Sequence, residues 1–300
     1  MKIFVTGGMG FVGKHACQEL AGQGHEVVAA DKAPGPGMAL GEGYRYLCAD
    51  TTLPGPWQEQ AAQADAIINL AGANIFKRWN AAYKKQIQDT RVLTTRNTVE
   101  ALPADWNGVF LSTSAGGYYG WRGNVILDES ATPGKDFLAT VCVEWEKEAS
   151  LARQKGARVA LMRFGVVLGK DGGALPQMAR PFRLRMGGRL GDGLQWFPWI
   201  HVTDLISAML FLLENPAASG PFNFTAPGAL QNKDLTAALA KALRRPAILP
   251  APGLALRAIL GEFATVMLKG QHMVPSALVS LGFAFRFPDI ASALADLLAT

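Results

Sequence analysis

Short apolar runs alternate with longer stretches of helix-forming residues through the first half of the chain. The runs are rich in valine, isoleucine and phenylalanine and end at polar or glycine-containing turns, which favours buried strands. We predict strands at residues 2–6, 26–30, 44–48, 65–70, 108–112 and 158–163, and helices at 14–23, 81–101 and 137–154. This alternation predicts an α/β protein built on a doubly wound parallel sheet with right-handed crossovers.

The second half of the chain has a different pattern. Residues 176–193 are rich in glycine and arginine, residues 196–204 are aromatic, and a helix is predicted at 205–213 with Asp204 as its cap. A short strand is predicted at 220–224, and from residue 230 the pattern is helical with prolines between the segments. We expect one domain over residues 1–170, completed by parts of 195–225, and a smaller, mainly helical domain over 171–300.

Three glycines separate the first predicted strand from the first predicted helix. Gly7, Gly10 and Gly13 follow the apolar run that ends at Thr6. In such a unit the first glycine permits the tight turn, the second lets the backbone approach phosphate, and the third lets the helix pack on the strand. The free N–H groups at the helix start then hold a dinucleotide pyrophosphate. We predict a Rossmann-type cofactor site at Gly7, Gly10, Phe11, Val12 and Gly13.

Residues at later strand ends extend the predicted cofactor site. Asp31 is placed to accept hydrogen bonds from the adenosine ribose, which favours NAD, whereas Lys32 would attract the 2′-phosphate of NADP. The choice between the two cofactors stays open on these residue types. Proline- and glycine-rich residues 33–37 are predicted to form a flexible loop, and Asp50 is expected at the adenine. Close approach of the backbone to the cofactor ribose is expected at Leu70, Ala71 and Gly72.

The composition argues against several classes of function. The 300 residues are 49% hydrophobic, and the net charge of +5 lacks the basic run or aromatic–basic pattern typical of nucleic-acid binding. Three unclustered cysteines fit neither a disulfide framework nor a zinc site, which favours a cytoplasmic location. No uninterrupted apolar run is long enough to span a bilayer. We expect no metal, nucleic-acid or membrane partner, and the oligomeric state stays open.

Several motifs together resemble one known family. The glycine triplet, residues 69–72, the run from Ser114 to Gly120 and the stretch from Arg163 to His201-Val202-x-Asp204 resemble an extended short-chain dehydrogenase/reductase. An uncharacterised epimerase-like subgroup is closer; it shares Arg78-Trp79, Tyr118-Tyr119-Gly120, Gly187-Gly188, Trp199-Ile200-His201 and Gly282-Phe283-Ala284-Phe285. The resemblance covers nearly the whole chain. It implies a nicotinamide cofactor with a preference for NADP and places Arg163 in the cofactor site.

The family's chemistry is hydride transfer at nicotinamide. The resemblance implies a tyrosine as acid and base, a lysine four residues later that lowers the pKa of the tyrosine, and a serine that binds the substrate oxygen. No tyrosine of this chain has a lysine at that spacing. Phe137 stands where the tyrosine is expected, and Val141 follows four residues on. Since neither side chain can carry a proton, the usual acid/base pair is missing.

Other residues could take over parts of this chemistry. Ser114 keeps its place after the fifth strand and is predicted to orient the substrate, and Tyr118 or Tyr119 is the predicted proton donor. The structural alternatives are that the Ser114 hydroxyl bonds only to local backbone and that Tyr118 and Tyr119 are packing aromatics. Residues predicted to bind an anionic substrate or to wall its pocket are Arg78, Trp79, Arg183, Arg189, Trp199 and His201. For each of them a packing or solvated role is the alternative.

Two classes of function fit these residues. The first is an NAD(P)-dependent oxidoreductase of atypical short-chain dehydrogenase type that acts on a small molecule, with a sugar-nucleotide epimerase as a related version. The second is a non-catalytic sensor of nucleotide state that binds a protein partner, because some members of the resembling subgroup carry cell-division-inhibitor labels. Cofactor binding without hydride exchange would favour the sensor.

Overall fold

The computed structural model describes residues 1–32 and 44–299, so the predicted loop at 33–37 lies outside the described residues. Within these ranges the strands are β1 (Lys2–Thr6), β2 (Glu26–Asp31), β3 (Tyr44–Cys48), β4 (Ala66–Asn69), β5 (Val109–Ala115), β6 (Ile126–Leu127), β7 (Arg158–Phe164), β8 (Val166–Leu168), β9 (Trp196–Phe197), β10 (Trp199–His201), β11 (Gly220–Phe224), β12 (Leu230–Gln231) and β13 (His272–Met273).

The helices connect these strands and make up most of the chain's end. They are α1 (Phe11–Gly22), α2 (Trp57–Ala62), α3 (Ala81–Ala101), α4 (Phe137–Ser150), α5 (Leu175–Arg183), α6 (Val202–Glu214), α7 (Asn232–Leu243), α8 (Gly253–Leu260), α9 (Phe263–Leu268), α10 (Ser276–Ser280) and α11 (Ile290–Leu297). None of the helices described has the length and apolarity required to cross a lipid bilayer.

Seven parallel strands form the central sheet of the described chain, in the order β3-β2-β1-β4-β5-β7-β11. The predicted doubly wound parallel sheet is therefore confirmed. The chain runs outward from β1 to β3, returns to β4 and then runs outward in the opposite direction. Ligands of such sheets bind outside the carboxyl ends of the strands at this reversal. In this protein the reversal lies between β1 and β4.

Alternate residues of the strands supply two cores, one on each face of the sheet. Ile3 and Val5 of β1 pack with residues of α1 and α6, whereas Phe4 packs on the opposite face with Trp57 and Trp106. This is the two-residue period of a strand covered on both sides. A third core lies in the second half of the chain, around Leu168, Phe182, Trp199, Leu235 and Leu294.

The second half of the chain departs from prediction at the start of α6. The helix α6 begins at Val202, and the side chain of His201, not that of Asp204, caps it by accepting a hydrogen bond from the N–H of Thr203. The Asp204 carboxylate instead accepts hydrogen bonds from the backbone N–H groups of Arg286 and Phe287, at 2.8 and 2.9 Å. The prediction that Asp204 caps the helix is wrong because its carboxylate ties the helix to the end of the chain.

Candidate functional site

The glycine-rich turn after β1 has no room for side chains. Gly7 has φ +69°, and a Cβ added there would lie 2.9 Å from backbone atoms of Ala71. A Cβ on Gly13 would lie 2.2 Å from the carbonyl oxygen of Gly7. The N–H of Gly10 donates to the same oxygen at 3.0 Å, which closes the turn. The three glycines thus bring β1, α1 and the chain after β4 into direct backbone contact.

The start of α1 is open to an anion. The helix begins at Phe11, three residues earlier than predicted, with Gly10 at its N-cap. No side chain caps the helix, and no acidic residue lies in its first turn. Its first N–H groups, among them those of Phe11 and Val12, therefore keep the unpaired character and partial positive charge that favour phosphate.

Thr6 and Asn69 fix the loop after β4 against the glycine turn. The Thr6 hydroxyl donates to the Asn69 side-chain oxygen at 2.7 Å, and both residues are fully buried. The same hydroxyl accepts hydrogen bonds from the N–H groups of Leu70 and Ala71 at 3.2 and 3.3 Å. The Asn69 amide in turn donates to Thr95 of α3 at 2.7 Å. This buried network sets the shape of the cleft between β1 and β4.

An open cleft of about 260 Å³ runs across the carboxyl ends of β1, β2 and β4. Most of the predicted cofactor residues line it, namely Gly7, Gly10, Asp31, Lys32, Asp50, Leu70, Ala71 and Gly72. Gly13 is buried beneath the turn, and Phe11 lies with its ring against the backbone of Gly169 and Gly172. Whether each residue contacts a cofactor stays a prediction, but the structure brings the eight into one cleft.

The carboxylates of the cleft already have partners in the protein. One oxygen of Asp31 accepts a hydrogen bond from the N–H of Met9 at 3.2 Å. The Asp50 carboxylate accepts hydrogen bonds from the hydroxyl and the N–H of Thr52 at 2.6 and 3.0 Å. These bonds lower the pKa of Asp50 and keep it ionised. Lys32, by contrast, is exposed at the mouth of the cleft.

Comparison with known proteins decides the family. Residues 3–225 match the model of the NAD dependent epimerase/dehydratase family. The chain belongs to this family. Residues 251–297 also match a domain of unknown function (DUF1731). The epimerase/dehydratase match confirms the predicted family and, with it, a nicotinamide dinucleotide as the class of cofactor.

Relatives are similar along nearly their whole length. An Arabidopsis thaliana protein described as "Epimerase family protein SDR39U1 homolog, chloroplastic" is 39% identical over 298 residues, which cover 98% of this chain and 86% of the relative. A Mus musculus protein, "Epimerase family protein SDR39U1", is 35% identical over 314 residues and is matched over 100% of both chains. The crystal structure of human epimerase family protein SDR39U1 with NADPH has a TM-score of 0.87 at 32% identity and is matched over 99% of both chains.

Phe137, predicted to stand where the family has its tyrosine, belongs to an aromatic cluster. Phe137 opens α4, and its ring packs edge-on against Trp79 at 5.6 Å between centroids. Trp79 also contacts Phe263 of α9 at 5.8 Å. Val141, where the lysine is expected, is buried. These residues make an apolar wall around the position where the acid/base pair was expected.

A buried ion pair lies where β5 and β7 end. Arg163 donates from Nε and Nη2 to the two carboxylate oxygens of Glu146 at 2.8 and 2.9 Å, and both residues are buried. Burial alone would lower the pKa of Arg163, but the bonds and charge of Glu146 outweigh it and raise that pKa. Ser114 also donates to Glu146, at 2.7 Å. Arg163, predicted as a cofactor residue, thus faces Glu146 and does not line the cleft.

Tyr119 belongs to the same buried network. Its hydroxyl accepts a hydrogen bond from Arg163 at 2.9 Å and donates to Asn223 at 2.7 Å. The side chain is completely buried, and this burial raises the pKa of Tyr119 to about 12. Ser114 and Tyr119 therefore have partners within the protein and no open path to a substrate. Their predicted catalytic roles would require this network to open.

Tyr118 is the more accessible tyrosine of the pair. Its ring is only partly buried and lies under the guanidinium of Arg163, 3.5 Å from Cζ to the ring centroid. The two tyrosine rings meet edge-on at 5.3 Å. This stack on a fixed cation holds Tyr118 in place at the carboxyl end of β5. Of the three predicted catalytic residues, only Tyr118 is exposed enough to meet a substrate.

The predicted substrate residues do not form one group. Trp199 is fully buried and donates to the carbonyl of Gly228, and His201 is stacked on Phe287 and bonded to Asp296. Both lie in the interior, so a substrate cannot reach them without opening this packing. Arg183 is exposed at the end of α5. Arg189 lines a separate cavity of about 370 Å³ with Lys233 and Ile248. Arg78 and Trp79 lie together beside α9.

Two side chains that shape the site were not predicted from the sequence. Glu146 and Arg91 lie on helices α4 and α3, whose charged residues are typical of solvated faces. The buried Arg163 at a strand end was the signal that an acidic partner must exist. Across residues 1–32 and 44–299, no three His, Cys, Asp or Glu side chains gather closely enough to hold a metal ion.

Proposed function

We propose that this protein is an NADP(H)-dependent oxidoreductase of the epimerase/dehydratase family in which Tyr118 replaces the missing acid/base tyrosine. The observation that carries the proposal is the single cleft joining the glycine turn, Lys32 and the chain after β4. The open start of α1 and the side-chain-free turn fit a dinucleotide pyrophosphate. The human relative with NADPH supports NADP(H) over NAD(H).

The chain's own residues would divide the work as follows. The N–H groups at the start of α1 hold the pyrophosphate, and Lys32 holds the 2′-phosphate as a mobile point charge. A bound nicotinamide supplies hydride exchange with the substrate. Tyr118 donates a proton to the substrate oxygen, since among Ser114, Tyr118 and Tyr119 it is the residue that is only partly buried. Trp79, Phe137 and Phe263 exclude water from one side. The substrate is a small molecule acted on in the cytoplasm.

Tyr118→Phe is expected to lower kcat by about 100-fold, because a positioned proton donor contributes a factor of that order. The dissociation constant of NADPH should not change, since the hydroxyl is assigned to the substrate. The measurement is NADPH oxidation with a panel of aldehydes, ketones and quinones, together with calorimetric titration of NADPH. The matched variant is Tyr119→Phe, which loses the bonds to Arg163 and Asn223 and should mainly lower the melting temperature. Equal turnover by wild type and Tyr118→Phe would remove Tyr118 from the mechanism.

Lys32→Ala is expected to raise the dissociation constant of NADPH about tenfold, the value of one hydrogen bond to a charged group. The dissociation constant of NADH should stay within about twofold, because NADH has no 2′-phosphate for the lysine to bind. Isothermal titration with both dinucleotides gives the comparison. Lys241→Ala, an exposed lysine on α7, controls for the change in net charge. A wild-type protein that prefers NADH, or a Lys32→Ala variant that weakens both ligands alike, would contradict the assignment.

The burial of Ser114 and Tyr119 favours a second candidate function. With Phe137 and Val141 at the acid/base positions, the protein would bind NADP(H) without exchanging hydride and signal the cofactor's presence to a protein partner. The two candidates separate in one experiment. A dinucleotide at a hundred times its Kd should stabilise the protein by about 2.7 kcal/mol in a thermal shift. Stabilisation without turnover on any carbonyl or quinone would support the sensor. No stabilisation by any dinucleotide would contradict both candidate functions.

A further inference from the structure

Arg91 differs from the other basic residues of α3. Lys84 pairs with Glu262, Lys85 with Asp89 and Arg96 with Glu148. Within the described residues, no carboxylate oxygen lies within ion-pair distance of Arg91. Its guanidinium donates instead to the carbonyls of Ile87 and Ala73, both at 3.0 Å. Both acceptors are neutral carbonyls. The partly buried guanidinium of Arg91 therefore keeps N–H donors without a partner and has no opposite charge beside it in the part of the chain that the structure describes.

The guanidinium of Arg91 lies directly beside Gly72, a cleft-lining residue predicted to contact the cofactor, although Arg91 itself is not among the residues that line the cleft. A Cβ added to Gly72 would lie 3.0 Å from its Cζ and 3.2 Å from Nη2. Gly72 and Ala73 line the cleft, as does Thr90 beside Arg91. Gly72 therefore leaves room for the guanidinium of Arg91. From the sequence, this glycine was explained only by close approach of the backbone to the cofactor ribose.

A second donor beside Arg91, the indole N–H of Trp145, has no acceptor within residues 1–32 and 44–299. The Trp145 ring lies 5.3 Å from the guanidinium, and its buried Nε1 has no hydrogen-bond partner among the described residues. Both groups are donors only, so what is missing beside them is an acceptor oxygen. Cys142 does not supply the missing charge, because burial raises the pKa of its thiol to about 12 and keeps it neutral.

The position of Arg91 relative to the sheet indicates one end of the dinucleotide. Asp31 ends β2 and Lys32 follows it, on one side of β1, whereas Gly72 and Ala73 come after β4, on the other side of β1 and next to β5. A dinucleotide laid across the crevice places its two nucleosides on opposite sides of β1. With the adenosine end at Lys32, the Arg91 end belongs to nicotinamide. Trp145 lies one helical turn after Val141 and thus on the face of α4 where the family has its lysine.

We infer that Arg91, supplied from α3, replaces the missing α4 lysine as the cation that holds the nicotinamide ribose of the bound dinucleotide. The inference rests on the proposed cofactor site. Arg91 is a positioning residue in this assignment: its guanidinium donates to ribose oxygens and orients the nicotinamide ring. The alternative role for Arg91 is purely structural: it would only hold the loop at Ala73 in place through its bond to the Ala73 carbonyl.

The test compares a whole dinucleotide with its adenosine half. NADPH and adenosine 2′,5′-bisphosphate are titrated calorimetrically into wild type, Arg91→Met and Arg91→Lys. Arg91→Met is expected to raise the Kd of NADPH about tenfold or more and to leave the Kd of the bisphosphate within about twofold. Arg91→Lys keeps the charge but loses the planar fork of donors, so its Kd for NADPH should lie between those of wild type and Arg91→Met. Melting curves of both variants show that they are folded.

Thr95→Val is the matched control for the loop. The Thr95 hydroxyl accepts a hydrogen bond from the side-chain amide of Asn69 at 2.7 Å, so it fixes the chain after β4 from the same helix, and Thr95 is not among the residues that line the cleft. The ratio of the two Kd values should change in Arg91→Met but not in Thr95→Val. An unchanged ratio in Arg91→Met, or the same change in Thr95→Val, would overturn the inference. A wild-type protein that binds neither ligand would refute the proposed function itself, which is a different result.

Discussion

Gly13→Ala is expected to destabilise the protein by about 3 kcal/mol and to weaken NADPH binding at least tenfold. The added methyl group would lie 2.2 Å from the Gly7 carbonyl oxygen and 2.8 Å from the α-carbon of Gly8. These neighbours are backbone atoms that cannot rotate away, so the effect should reach the upper end of the cost of overpacking. Relief of this clash would move the start of α1 away from the turn that we propose to hold the pyrophosphate. Urea unfolding and titration with NADPH measure the two effects.

Gly22→Ala is the matched control in the same helix. A Cβ at Gly22 would have no atom within 4 Å, so it meets no steric obstacle. Alanine should stabilise α1 there by roughly 0.5–1 kcal/mol, because it lowers the entropy of the unfolded chain. NADPH binding should be unchanged. If Gly13→Ala behaved like Gly22→Ala, the close contact of α1 with the turn would not be needed for the site.

Glu146→Ala is expected to cost about 3–5 kcal/mol of unfolding free energy, because it leaves the buried Arg163 without its ion partner. The substitution removes hydrogen bonds from Nε and Nη2 of Arg163 and from Ser114. Replacing both charges by methionine should recover most of the loss, since a well-packed apolar pair avoids the desolvation cost. Urea denaturation of the single and double variants gives the comparison.

Glu148→Ala tests the same chemistry two residues later on α4. Its partner Arg96 has 45% of its side chain accessible and Glu148 has 13%, so the pair is far less buried than Glu146 and Arg163 at 10% and 4%. Exposed pairs contribute about 0–1 kcal/mol, so this variant should stay close to wild type. A loss in Glu146→Ala no larger than in Glu148→Ala would mean that Arg163 finds water or another acceptor after the truncation.

The sheet could be predicted from the sequence because its strands are separate apolar runs. The predicted runs at 2–6, 44–48 and 220–224 coincide with β1, β3 and β11. The two- and three-residue strands β6, β8, β9, β10, β12 and β13 were not predicted. Pairs this short are defined by partners distant in the chain and have no period of their own.

The cofactor cleft could be predicted for a related reason. Its residues stand at the ends of strands, and parallel strands bring their carboxyl ends to one edge. The predicted catalytic and substrate residues did not gather in the same way. Ser114 and Tyr119 turn inward to Glu146 and Arg163, and which way a polar side chain turns depends on a partner elsewhere in the sequence. Glu146 and Arg91 show the converse, since charged residues on a helix usually face solvent and the sequence does not mark these two as buried.

The bonds from Asp204 and Asn223 to the end of the chain set an order of assembly during synthesis. The last strand of the sheet ends at Phe224 and leaves the ribosome before the residues that these side chains need. Asp204 can accept its hydrogen bonds only after Arg286 and Phe287 have been synthesised, and Asn223 can donate to the Val274 carbonyl only after that residue has been made. During synthesis all seven strands of the sheet are therefore available before Asp204 and Asn223 can make these bonds. Residues 274–287 complete the packing around the two side chains last.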